Sequence, residues 1–340
     1  MKIRLALDAM GGDFAPAEIV EGAKEAVESN PDIEIILVGE LDKINAYLSK
    51  KPAKNAKNGT NNISGTINVL ASGENIDMHE SAAKAVKAKK DSSIVLGLDL
   101  VKKGKADAFI SAGNTGAVMT AALFGLGRIK GIDRPAIVVT LPTAAKPVVL
   151  LDAGANPECK PKNLEQFAHM GSSFSEKLLG IHNPSIGLLS IGTEKGKGDD
   201  LVKVSHDLLE DASINFYGNI EGRDVSNGTT DVVVCDGFIG NVVLKTMEGL
   251  ASVMFNELKE VIKSTTRTKV GGMLLSSSLK KLQTRLNQDT YGGAQLLGVN
   301  GICIISHGSA KKKAIKNAIF LAKKSIEQGL VDKIKLEAHL

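Results

Sequence analysis

The sequence predicts an α/β protein: a sheet covered by helices on both faces, in three layers, with a helical arm projecting from it. Short apolar runs of the fully buried type recur along the chain with helical patterns between them, as in sheets packed on both faces. Glycine is abundant, at 35 of 340 residues, while aromatics make up only 4% and Trp is absent. That composition suits tight strand-to-helix turns. Near the C-terminal third, Val243, Met247, Leu250, Met254, Leu258 and Val261 step by three or four over Gly240–Lys263, giving one helix with an apolar face. At ~1.5 Å per residue it is on the order of 35 Å long, enough to project or to line a dimer interface. Residues 1–340 are read as a single α/β unit, which two lobes around a shared cleft would also satisfy, with the arm over 239–290.

Strands are expected at Ile3–Asp8, Ile33–Val38, Ile67–Leu70, Ala108–Ser111, Ile137–Thr140, Val148–Asp152, Ile186–Ser190, Ile214–Tyr217, Val232–Cys235 and Ile302–Ser306. A helix starts at Pro16, where proline suits the first turn. Others are expected at Leu41–Leu48, Ser81–Lys90, Ser92–Lys103 and, to close the chain, Ser309–Gln328. Lys51–Asn62 has no apolar period and reads as a solvated loop. From the end of the long helix, the segment Lys263–Arg285 carries Lys263, Arg267, Lys269, Lys280, Lys281 and Arg285 and no acidic residue. Leu275, Leu279, Leu282 and Leu286 form a helical stripe there, and Val270–Leu275 reads as an apolar loop. A basic amphipathic helix suits a membrane surface or an acidic partner, with packing against a second subunit as the plain alternative.

Composition excludes several classes. A net charge of +4, with no basic block interleaved with aromatics, argues against nucleic acid. Three scattered cysteines, Cys159, Cys235 and Cys303, lack CxxC spacing and fit a reducing, cytoplasmic compartment. The first apolar run is too short for a signal peptide. The uncharged stretch between Asp107 and Arg128 carries Ser111, Asn114 and Thr115 at its middle, so it reads as strand, polar loop and helix in a soluble protein.

The chemistry gathers in loops that follow strands, where backbone N–H groups and helix N-termini face outward. Six are small and polar: Asp8–Asp13, Ser111–Gly116, Asp152–Asn156, Gly192–Gly198, Gly218–Arg223 and Asp236–Asn241. Any one is acceptable as an ordinary turn; six after buried strands favour a site. Ser111–Gly116 is the best placed, because an apolar helix follows it at once. Nucleotide motifs fail: Gly192–Lys197 has three residues between its glycines where a P-loop has four, and Gly125-Leu126-Gly127 lacks a third glycine. Cys235 and Cys303 read as packing residues. The histidines show no metal spacing, and only His307, at a strand end, is a site candidate, with its participation left open. Neither a metal nor a cofactor is expected.

Taken together, ALDAMGGD (6–13), SAGNTGA (111–117), DRPA (133–136), GLLSIGTE (187–194), DVVVCDGFIGN (231–241), LKTMEG (244–249) and YGGA (291–294) resemble the bacterial phosphate acyltransferases of phospholipid synthesis. Those enzymes form acyl phosphate from acyl-acyl carrier protein and inorganic phosphate, and the resemblance covers essentially the whole chain. It implies a fold like the isocitrate and isopropylmalate dehydrogenases and the phosphate acetyltransferases, and a homodimer attached peripherally to the membrane. It also implies a product that feeds glycerol-3-phosphate acylation, with the membrane glycerol-3-phosphate acyltransferase as a candidate partner. Phe14 stands where the family often has histidine, so no acid/base role rests on that position. Phosphate titrates near neutrality and is already a nucleophile, so orientation and oxyanion stabilisation matter more than a strong base.

The expected phosphate and substrate contacts are Gly11, Gly12, Asp13, Ser111, Gly113, Thr115, Gly116, Gly192 and Thr193, with Asn114 among the catalytic residues. Asn241 or Lys245 would stabilise the oxyanion, oriented by Asp236. Lys269, Met273, Leu274, Leu275, Lys280, Lys281 and Arg285 would meet the membrane or carrier protein. A dehydrogenase on the same fold and a non-catalytic membrane scaffold are the rival readings; the first lacks a nucleotide fingerprint, the second leaves the loops unexplained.

Overall fold

The computed structural model describes residues 2–49, 67–143, 145–286 and 288–338, so the expected Lys51–Asn62 loop lies outside them. In chain order, β1 (Ile3–Asp8), α1 (Ala17–Ser29), β2 (Ile33–Gly39), α2 (Leu41–Leu48) and β3 (Ile67–Ala71) lead into α3 (Ala82–Ala88), α4 (Ser93–Lys102), β4 (Ala108–Ser111) and α5 (Thr115–Gly125). Next come β5 (Ala136–Leu141), β6 (Val148–Leu151), α6 (Pro161–Phe174), β7 (Ile186–Leu189), α7 (Asp200–Asp211), β8 (Phe216–Ile220), α8 (Gly222–Asn227) and β9 (Val232–Val234). The chain finishes with α9 (Gly237–Lys263), α10 (Thr266–Leu286), β10 (Ala294–Leu297), β11 (Ile302–Ile305), α11 (Lys312–Glu327) and α12 (Leu330–Glu337). It divides into two compact units: Met1–Val138 with Ser173–His182 and Tyr291–Leu340, and Val139–Ser172 with Asn183–Thr290.

In the first unit the strands run in the order β3-β2-β1-β4-β11-β10-β5. All neighbours are parallel except β10, which is antiparallel to both β11 and β5. Alternation along the strands sorts the helices to the two faces. Leu5, Leu7, Ile35, Leu37, Ala108, Ile110, Ile302 and Ile304 form one buried core with α1 and α11. Phe109 points the other way, and α4 lies so close over its ring that a Cβ at Gly97 would collide with it. Helices therefore cover both faces of this unit.

In the second unit β6, β9, β7 and β8 are neighbours in that order, all parallel. Here α6 packs onto β9 where Gly171 leaves room for Val232. Three helices that follow strands start on Asx caps. Asn114 Oδ1 accepts from Ala117 N at 3.0 Å, Asp199 Oδ1 from Val202 N at 2.9 Å, and Asp236 Oδ1 from Ile239 N at 2.9 Å.

Every expected strand is present, but with two corrections nearby. The strand placed at Ile214–Tyr217 runs over Phe216–Ile220, so Gly218–Ile220 are ladder residues and the expected Gly218–Arg223 loop is strand, cap and helix start. Ile186 and Gly187 face Phe216 and Gly218 in turn, which leaves Tyr217 as a bulged residue; Gly218, with φ +114°, supplies the conformation that the bulge needs. Val270–Leu275 is not a loop: α10 is one continuous helix over Thr266–Leu286. Strand β10 and helices α6, α7, α8 and α12 have no counterpart among the expected elements.

Candidate active site

Within the first unit, β1, β4 and β11 are parallel neighbours, so the loops after them leave the sheet at one edge. A buried hydrogen-bond relay holds two of these loops together. Asp8, 1% exposed, ends β1. Its Oδ2 accepts from Ser111 Oγ at 2.7 Å, and its Oδ1 accepts from Met10 N at 3.0 Å. Ser111 Oγ in turn accepts from Gly113 N at 3.0 Å. Burial pushes the Asp8 carboxyl above its ordinary range, while hydrogen bonds from Ser93, Ser111, Met10 and Gly11 draw it back. Gly11 and Gly113 touch backbone to backbone, since a Cβ on Gly11 would stand 2.6 Å from Gly113 N. Gly12, at φ +102°, packs beside Gly308 O, and Asp13 N donates to that same carbonyl at 2.8 Å.

The structure thus brings Gly11, Gly12, Asp13, Ser111, Gly113, Asn114, Thr115 and Gly116 into one loop cluster, and it divides their work. Ser111 and the Gly113 amide are spent inside the relay, and Ser111 is fully buried. Asn114 is a structural hub: besides capping α5, its Nδ2 donates to the carbonyls of Asp77, Met78 and Glu80, each at 3.1 Å. Thr115 is exposed at the first position of α5, followed by half-buried Gly116. Their N–H groups belong to the first helical turn, which has no intrahelical acceptors, and face outward with the positive end of the helix dipole. This edge of the first unit can bind a small anion through the main chain.

The second unit repeats the device. Asp152, fully buried after β6, accepts from the N–H groups of Gly154, Ala155 and Asn156 at 3.2, 3.0 and 2.7 Å, and from Asn156 Nδ2 at 2.9 Å. Asn156 O then takes the Gly237 N–H at 2.8 Å, which ties this loop to the head of α9. Gly237 and Gly240 lack the side chains that would strike Asn156 and the Asp152 carbonyl. Asn241 is exposed against this loop, its Cβ 3.5 Å from where a Gly154 side chain would begin. Asp236 caps α9, and so fixes the helix that carries Asn241 and Lys245. Lys245, one turn further on, pairs with Glu248 at 2.8 Å in an exposed ion pair.

Gly192 is buried and Thr193 exposed in the loop after β7. That loop is anchored by Asn219, whose Nδ2 donates to Glu194 O at 2.9 Å while its Oδ1 meets buried His206 Nδ1 at 3.0 Å. On the arm, Lys269, Met273, Leu274, Leu275, Lys280 and Lys281 are all exposed; Arg285 lies on α10 with its side chain outside the described part. Burial, with Asp236 and Asp152 nearby, raises the Cys235 thiol well above its ordinary range, and burial takes Cys303 up to about 12. Both stay protonated and serve as packing residues. Among the described residues no group of three His, Cys, Asp or Glu side chains could hold a metal ion.

Asp8, Asp152 and Asn156 had no assigned role in the sequence reading. A signal was available: Leu7-Asp8-Ala9 and Leu151-Asp152-Ala153 are the same tripeptide, each ending a buried strand and each followed by glycine-containing loop residues.

The family model described as "Fatty acid synthesis protein" matches residues 3–333. A phosphate acyltransferase from Desulfitobacterium hafniense (strain DSM 10664 / DCB-2) is 51% identical over 338 residues, covering 98% of this chain and 97% of its own. One from Clostridium botulinum (strain Loch Maree / Type A3) is 46% identical over 331 residues, with 97% and 96% covered. Among solved structures, a phosphotransacetylase from Streptococcus pyogenes matches with a TM-score of 0.61 at 18% identity, covering 96% of this chain and 94% of its own. A 4-hydroxythreonine-4-phosphate dehydrogenase from Klebsiella pneumoniae matches at 0.55 and 14% identity, with 96% and 98% covered. At such identities these two speak for the fold alone, and they agree with the α/β architecture that the motifs imply.

Proposed function

The chain belongs to the phosphate acyltransferase family and is an acyltransferase, and from that premise we propose that it forms acyl phosphate by phosphorolysis of an acyl-acyl carrier protein thioester, for phospholipid synthesis. A phosphate oxygen attacks the thioester carbonyl carbon, the new C–O bond forms, the C–S bond breaks, and the departing thiolate takes up a proton. Inorganic phosphate supplies the nucleophile, so the protein's task is to hold the phosphate anion against the thioester and stabilise the charge that develops on the carbonyl oxygen.

The observation that carries this reading is the relay Asp8–Ser111–Gly113, which fixes the loop ahead of α5 and leaves the Thr115 and Gly116 N–H groups for phosphate. Gly11–Asp13 form the neighbouring wall. In the second unit Asn241, on a helix fixed by the Asp236 cap and the Asp152–Asn156 loop, donates to the oxyanion. Lys245 adds positive charge, moderated by Glu248. Gly192 and Thr193 contact the substrate from the loop after β7.

The same reading gives the exposed basic side of α10, including Lys269, Lys280 and Lys281, to the acidic carrier protein or an anionic membrane surface. Its exposed apolar residues Met273, Leu274 and Leu275 meet lipid. Among the described helices, α9 is the one long and apolar enough to cross a membrane by length and composition alone. Glu248, Glu257 and Glu260 along it suit a protein interface better, so Leu250, Met254, Leu258 and Val261, all exposed, pack against a second copy in a homodimer. The enzyme is thereby a cytoplasmic, peripheral membrane protein that hands acyl phosphate to a membrane glycerol-3-phosphate acyltransferase.

A Thr115→Pro variant tests the phosphate site. Proline is tolerated at a first helical position and removes one N–H without breaking the helix; Asn114, at ψ 110°, already has the extended geometry that precedes proline. Loss of one hydrogen bond to an anion, about 1.5–3 kcal/mol, raises the KM for phosphate roughly 10- to 100-fold, with the KM for the acyl donor little changed. An unaltered phosphate KM refutes the assignment of this loop to phosphate.

A further inference from the structure

The loop after β11 carries a group that no role yet uses. In the parallel ladder Ile305 lies opposite Ser111, and Ser306 N donates to Ser111 O at 2.8 Å, so His307 leaves the sheet beside the anion loop. The backbone there is tightly held. Asp13 N bonds Gly308 O at 2.8 Å, Ala310 N bonds His307 O at 2.9 Å, and a Cβ on Gly308 would stand 2.9 Å from Met78 Cε. His307 itself is exposed.

Its ring orientation is chemically specified. Ser309 N lies 3.2 Å from His307 Nδ1 as a donor, and Ser309 Oγ lies 2.7 Å from the same nitrogen. A backbone amide can only donate, so Nδ1 presents its lone pair. In the neutral ring this places the proton on Nε2. Among the described residues none accepts from Nε2, and the one cation on this loop, Lys311, stands over the Phe14 ring at 5.5 Å from its centroid.

We propose that His307 is a substrate-binding residue that donates its Nε2–H to the attacking inorganic phosphate, and that Ser309 is the positioning residue that fixes this tautomer. The inference rests on the reading of the first unit's loops as the phosphate site. It adds a side-chain donor to a cradle otherwise built from main-chain N–H groups, and it places that donor at the end of a third strand, β11, which neighbours β4 and whose loop is bonded to the β1 loop at Asp13. Because the donor hydrogen sits on the outer nitrogen, glutamine can imitate it, with its Nε2 at a similar reach, whereas alanine cannot.

Two measurements on the full-length enzyme test it. Nitrogen-15 NMR of histidine-labelled wild type should show His307 as the Nε2–H tautomer and a change in its Nε2 signal when inorganic phosphate is added; an Nδ1–H tautomer, or no response to saturating phosphate, overturns the proposal. In kinetics with acyl-acyl carrier protein saturating, His307→Ala should raise the phosphate KM about tenfold, leave the acyl-donor KM unchanged, and be largely rescued by His307→Gln. If His307→Ala leaves the phosphate KM unchanged while Thr115→Pro raises it, the histidine inference fails and the phosphate loop stands. If neither variant moves it, the loop reading fails as well.

Discussion

Ser111 shows how much one hydroxyl decides at this site. It donates to Asp8 and accepts from Gly113, so it joins two strand-end loops by using its proton and a lone pair. Ser111→Ala leaves the Gly113 N–H and one lobe of a buried carboxylate without their partner, which costs about 1–3 kcal/mol. Urea unfolding should record that loss, and the phosphate KM should rise with it because the loop is no longer fixed. Wild-type stability together with wild-type phosphate KM in Ser111→Ala is inconsistent with the relay. Ser111 was picked out from the sequence as a phosphate contact, and its burial makes it a positioning residue. Burial and hydrogen-bond direction are three-dimensional facts: Ser, Gly and Asn in a turn look alike whether they face a ligand or each other. For the same reason Asn114 reads as a ligand group in the sequence, yet its amide is committed to three carbonyls of a segment 34 to 37 residues away.

At the scale of elements, the long apolar period of α9 was legible because six residues repeat it without interruption, and the structure starts the helix only three residues earlier, at Gly237. The segment after it was harder. Val270-Gly271-Gly272 suggested a loop, since paired glycines weaken a helix; in α10 the second glycine instead allows close approach to Ile262 of α9. Strand β10 is hard to see in the sequence because Gln295 interrupts a four-residue run. That side chain is 1% exposed, its polarity met by Ser325 Oγ at 3.0 Å. The exposed charge of α10 leads to a prediction at this scale. Replacing Lys269, Lys280 and Lys281 by Glu together should leave the fold and the phosphate KM intact. It should also raise the KM for the acyl-carrier substrate or abolish binding to anionic vesicles, with the wild-type interaction weakening as salt increases. Unchanged carrier kinetics and unchanged vesicle binding would remove the arm from both roles.

For the molecule as a whole, each unit uses one device: a parallel strand ends in Leu-Asp-Ala, the buried aspartate gathers loop N–H groups, and glycines let the next loop close over it. The family was legible because long motifs fall in a fixed order along the chain, four of the seven running off the end of a strand. The individual roles were less so, because a motif records which residues are present and not which atoms they spend on one another. The central claim is thioester phosphorolysis, and the direct measurement is formation of acyl phosphate from acyl-acyl carrier protein and inorganic phosphate by the purified enzyme, trapped with hydroxylamine. Acyl-coenzyme A is run beside it as the alternative donor. The account predicts hydroxamate that depends on enzyme, phosphate and the carrier-bound thioester; hydroxamate absent under those conditions, or undiminished when phosphate is omitted, contradicts it.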